Sequence, residues 1–125
     1  MRHKVTQKHF EEFRRHVLLW VERFGLTDWK VIIKQRTLKD EHLASCHANN
    51  DARSVIFEIN TTFHSDVNPT SDEIRKTAIH EVSHLFLSDL YDLGRCRFAT
   101  RLEWDRAEDC ATVRLQNMIS RYAKE

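Results

Sequence analysis

No apolar run in the 125 residues approaches the length needed to span a bilayer, which excludes a membrane-spanning helix. An excess of charge of one sign is missing too. Twenty Lys and Arg stand against nineteen Asp and Glu, interleaved, for a net charge of +1 with histidines neutral. That pattern excludes the basic footprint of a nucleic-acid binder. Cysteines are only three (Cys46, Cys96 and Cys110), odd in number and widely spaced, so no disulfide framework is expected and a reducing cytoplasm is. Residues 1–6 lead straight into an amphipathic segment without the apolar core of a signal peptide. Two glycines and one proline leave little room for linkers, and there is no repeat or low-complexity stretch. A single domain over residues 1–125 is therefore expected. Its composition, 41% hydrophobic and 31% charged, is that of a folding chain. Histidine is abundant, with eight residues, and raises the prospect of metal binding.

The order of elements follows from periodicity. Thr6 is a candidate N-cap, and Phe10, Phe13, Val17, Trp20, Val21 and Phe24 recur at helical spacing up to Gly25, which suits a C′ position. Trp29 to Arg36 is β-branched and reads as a strand, and Leu43 to Ala48 and Ser54 to Asn60 read as two more. Asn49-Asn50-Asp51 is turn chemistry between the last two, so a hairpin is expected there, and three antiparallel strands in a meander fit the short connections. Thr70-Ser-Asp-Glu73 has capping-box spacing and opens a helix expected to run to Leu93, with Gly94 at C′. A last helix is expected over 102–122. The fold class is α+β: an N-terminal helix, a three-stranded and mostly antiparallel sheet, and two helices.

Within the penultimate helix stands His80-Glu81-Val82-Ser83-His84, an H-E-x-x-H motif. Helical spacing puts His80 and His84 one turn apart on one face, where two imidazoles can meet one ion. Glu81 is turned by one residue, placed to reach a water without ligating. That is the donor pattern of catalytic zinc. From Thr77 to Leu87 no fully charged side chain other than Glu81 occurs, and an apolar setting keeps histidine neutral and able to ligate.

Two histidines need a third protein ligand. Glu103, Asp105, Glu108 and Asp109 lie downstream. If Trp104, Ala111, Leu115, Met118, Ile119 and Tyr122 mark the inward stripe of the last helix, Glu108 falls within it and the other three do not. A carboxylate on an apolar face costs free energy unless it is paired or ligating, so Glu108 is the expected ligand.

With these four residues in place, the chain resembles the zincin metallopeptidases, in particular the gluzincin or thermolysin-like branch and its minimal single-domain, phage and prokaryotic members. The Thr77 to Phe86 stretch matches the pattern around the motif, and Glu108 lies 24 residues after His84, near the usual separation. The resemblance implies a zincin-like fold, a zinc ion on His80, His84 and Glu108, and hydrolysis of peptide or protein substrates with Glu81 as general base. It further implies that substrate adds as a strand to a sheet edge, for which Ser54 to Asn60 is the candidate. Two departures stand out. Thermolysin-like enzymes have an Asp four residues after the ligand Glu, where this chain has Thr112, and the subdomain carrying their oxyanion-stabilising residues has no counterpart. Tyr91, His64 and Tyr122 are the groups available for that role. The alternative is a zinc-stabilised zincin-fold binding or regulatory protein without peptidase activity. The cysteines are expected to be structural, and His3, His9, His16 and His42 to be solvated.

Overall fold

Helix α1, Gln7–Arg23, starts and stops where its terminal residues direct. Thr6 is extended, its hydroxyl accepts from the His9 amide, and the His9 imidazole accepts from the Thr6 amide at 3.0 Å, so two orphan amides are satisfied. At the other end Gly25 adopts φ +71, and the Leu26 amide reaches back to the Val21 carbonyl at 2.9 Å. Such a C′ position favours glycine because a side chain crowds the left-handed backbone. The computed structural model describes residues 2–39, 42–96 and 98–122. Phe13, Val17, Val21 and Phe24 are buried and Phe10 and Trp20 partly so, as the helical spacing requires.

Two short strands the sequence pattern does not reveal, β1 (His3–Lys4) and β5 (Thr62–Phe63), pair antiparallel and tie the start of the chain to the segment after the main sheet. That sheet contains β2 (Lys30–Gln35), β3 (Ala44–Asn49) and β4 (Ser54–Ile59). β3 and β4 form the expected antiparallel hairpin, with the Asn49 side chain accepting from the Ala52 amide at 3.1 Å in the turn. The meander, however, is corrected. The strand order is β2-β4-β3, and β2 runs parallel to β4 in register from Lys30–Ser54 to Gln35–Ile59. The up-down-up course expected of a meander is kept, but β4 inserts between the other two. Burial explains the choice: β4 is the strand whose Val55, Phe57, Glu58 and Ile59 are all covered, so it takes the place flanked on both sides.

The β2–β3 connection must then cross the end of β4, and Asn60 holds that crossing. The fully buried Asn60 amide donates to the His42 carbonyl at 2.8 Å, and its side-chain oxygen accepts from the Leu38 amide at 3.2 Å. The Asn60 backbone amide bonds the Leu43 carbonyl at 2.9 Å.

Helix α2 is Ser71–Phe86, with the Thr70 hydroxyl accepting from the Glu73 amide at 3.2 Å and Asp72 and Glu73 complementing its N-terminal dipole. It ends seven residues before Leu93, and a separate helix α3, Ser88–Arg95, takes over. Gly94 lies inside α3 rather than at a C′ position. The break comes from tertiary contacts: Asn50 in the hairpin turn donates to Ser88 at 3.3 Å and Asp89 at 2.9 Å, and Arg53 donates to Asp89 at 2.7 Å. These bonds clamp the start of α3 to the sheet.

Helix α4 is Arg101–Tyr122. Thr100 caps it in a reciprocal box with Glu103, which gives that acid a structural use. The inward stripe is corrected. Ala107, Ala111, Arg114 and Met118 are the half-buried positions, whereas Trp104, Leu115 and Ile119 are exposed. The observed face is turned by roughly 55° from the one the apolar residues suggest, at about 100° per residue. Near α1, Arg114 and Met118 take the covered positions: Arg114 reaches Asp28 at 3.6 Å, and Met118 packs against the core. The side chain of Tyr122 lies outside the described residues.

Helices α1 and α2 pack on each other, and α2 lies against β3. Val55, Phe57 and Ile59 meet Phe13, Val17, Ile74, Ala78, Val82 and Leu85 in the core. Among the described residues no helix is long and apolar enough to cross a membrane. Phe57→Ala, at the centre of the central strand, is expected to cost about 3–5 kcal/mol in urea unfolding. A loss below about 1 kcal/mol would remove β4 from the middle of the sheet.

Candidate metal centre

Helix α2 carries the motif with one face in the core and the other in a cleft. Ala78, Val82 and Leu85 anchor it to the sheet and α1. The polar residues between them are satisfied locally: Thr77 donates to the Glu73 carbonyl at 2.7 Å and Ser83 to the Ile79 carbonyl at 2.8 Å. Rotation then leaves His80 and His84 exposed and tucks Glu81 beneath them at 7% exposure.

The two imidazoles converge. Their Nε2 atoms are 3.2 Å apart, and the rings meet edge to face with centroids 4.8 Å apart. Two nitrogens bonded tetrahedrally to one zinc at about 2.0–2.1 Å lie roughly 3.3–3.4 Å apart. The pair therefore fits a shared ion, at a separation that also suits an N–H···N bond between the rings.

Glu81 feels opposing influences. Burial pushes its carboxyl above the usual carboxylate range, while the imidazoles of His80, His84, His42 and His47 pull it back. A carboxyl so placed binds and releases a proton closer to neutrality than a solvated one, as a general base requires. Cys46, on the core side of β3, is pushed up to about 12, first by burial and then by the Glu81 charge, so it stays a thiol. Cys96 and Cys110 are exposed, and none of the three cysteines is in a disulfide.

The cleft of about 890 Å³ runs between β3 and the α2–α3 edge. Ala44 to Ala48 form one wall, and His80, Glu81 and His84 with Ser88, Tyr91, Asp92 and Arg95 form the other. A smaller cavity of about 370 Å³ continues past His42, Lys76 and Thr77. The sheet edge beside the motif is thus β3. Ser54 to Asn60 lies in the centre of the sheet, and its expected role as the open edge is corrected by the insertion of β4.

Glu108 stands exposed on α4, about 90° around that helix from the centre of its covered face. Asp105, Asp109 and Thr112 are exposed as well. The structure brings His80, Glu81 and His84 together but does not bring Glu108 to them: among the described residues no group of three His, Cys, Asp or Glu side chains forms a metal-sized cluster. Of the groups considered for oxyanion stabilisation, Tyr91 lines the cleft, while His64 sits in the loop after β5 near Asp66. His42, His47 and Asp92 also line it and were not singled out as site residues by sequence. Alternation along β3 gave a signal only for which residues share a face, whereas their arrival at this edge depends on strand order.

No family model, curated protein or solved structure matches the chain.

Proposed function

We propose that this chain is a zinc-dependent metallopeptidase with a zincin-like fold, working in a reducing compartment such as the cytoplasm, where its three free thiols would persist. The observation that carries the reading is the pair of imidazoles 3.2 Å apart above a buried carboxylate, on the wall of a cleft bordered by a sheet edge. His80 and His84 would hold the metal; Glu108 is the third ligand that the sequence names, although it stands exposed on α4 and is not drawn to them. Zinc, when bound, supplies a Lewis acid that lowers the pKa of water and polarises a carbonyl. Glu81 accepts a proton from the attacking water and delivers it to the departing amine. The outer edge of β3, paired with β4 on its other side only, offers backbone groups to an extended peptide and aligns it with the histidines.

Zinc-loaded protein is expected to cleave an unfolded protein such as reduced, alkylated casein, to stop with a chelator and to resume when zinc is restored. Absence of cleavage at full zinc loading would sink the peptidase reading. It would favour the second one, a zinc-stabilised binding or regulatory protein, which the exposed Trp104, Leu115 and Ile119 beside Glu108 support as a contact surface.

A further inference from the structure

His42 sits at the junction of the two cavities and lines both, together with His80 and Glu81. Its backbone is held at both ends while its side chain stays exposed. The His42 amide bonds the Lys39 carbonyl at 2.9 Å, and the His42 carbonyl accepts from the buried Asn60 amide at 2.8 Å. Asn60 also accepts from the Leu38 and Thr62 amides, at 3.2 and 3.4 Å. A fully buried polar side chain is costly unless each of its groups is bonded, and this one spends its bonds on the segment that presents His42.

The other groups on these walls are less free to act on a substrate. The His47 imidazole lies 3.5 Å from Glu58, itself paired with Arg36, and the Arg95 guanidinium stacks over the Tyr91 ring at 5.7 Å. Among the described residues His42 forms no ion pair. Neutral imidazole keeps one N–H, so His42 can donate a hydrogen bond whether protonated or not. Donors that stabilise developing charge work through being placed in advance, and the Asn60 brace fixes the backbone from which the His42 imidazole projects.

We propose that His42 is a catalytic residue of the cleft, donating from its imidazole to the carbonyl oxygen of the scissile peptide bond as negative charge develops there; this rests on the peptidase reading above. No bond is made or broken by His42 itself. It stabilises the tetrahedral anion and releases it when the amine departs.

The test compares zinc-loaded wild type, His42→Ala and His42→Gln by calorimetry. The probes are a blocked oligoalanine peptide with a phosphinate in place of its central amide, which mimics the tetrahedral anion, and the same peptide with an ordinary amide. His42→Ala is expected to bind the phosphinate roughly 10- to 100-fold more weakly and the amide peptide within about twofold, with unchanged zinc content. His42→Gln, which keeps an N–H donor, is expected to recover part of the loss. Equal binding of the phosphinate by wild type and His42→Ala, or an equal loss for both peptides, overturns the assignment and leaves the peptidase reading standing. A wild type that binds neither peptide overturns both.

Discussion

Glu81→Gln is expected to keep a full complement of zinc and to lower cleavage of an unfolded protein by about 10³-fold, within the 10²–10⁴ range that a general base contributes. Glutamine fills the same volume beneath His80 and His84 but cannot take the proton. The variant also has a stability signature. A carboxyl whose folded pKa is raised is increasingly unfavourable to the fold as pH climbs from its unfolded pKa toward its folded one, because the unfolded chain ionises first. Burial places Glu81 in that situation. At neutral pH the metal-free variant is therefore expected to melt at or above the wild-type temperature, since the cost of burying charge is removed. Function held against stability is the mark of a site rather than of a core position. Retained cleavage would remove Glu81 from the chemistry, and a markedly lower melting temperature would mean that its carboxylate supports the fold.

The second large effect concerns the metal. His80→Ala and His84→Ala are each expected to weaken zinc binding by roughly a hundredfold or more, because each deletes one of few protein ligands in a binding energy of about 10 kcal/mol or more. Glu108→Ala is expected to weaken it by roughly tenfold or more if that carboxylate completes the set. Competition with a chromogenic chelator reads all three. The acids have separable outcomes. Glu103 is engaged with Thr100 in the α4 cap, and Asp105 and Asp109 are exposed. Asp92 lines the same cleft as His84. Unchanged affinity in Glu108→Ala with a loss in Asp92→Ala would move the third ligand from α4 to α3.

Much of the candidate site was legible because helices are local. An i to i+4 spacing places two side chains on one face whatever the rest of the chain does, so the convergence of His80 and His84 follows from the sequence once the segment is helical. Thr70 and Gly25 mark their helix ends through bonds made within a turn or two. The alternation of Val55, Phe57 and Ile59 likewise separates the core face of β4 from its other face. The Thr100–Glu103 box is equally local, its three-residue spacing giving Glu103 a bond at the helix start rather than a place at the metal.

The rest depended on partners far away in the chain. A meander and a β4 insertion use the same strands in the same directions, and only the fuller burial of β4, with Asn60 bracing the crossing loop, selects the second. That choice made β3 the open edge and carried His42 to the cleft. The turn of α4 was likewise set by what it packs against rather than by its own apolar pattern, so Arg114 and Met118 are covered while Trp104 and Ile119 are not. The sequence by itself determined the paired histidines and the acid beside them, because their geometry needs only one helical turn. Tertiary structure decided which edge faces them and where Glu108 stands, because strand order and helix rotation are settled by burial summed over the whole fold.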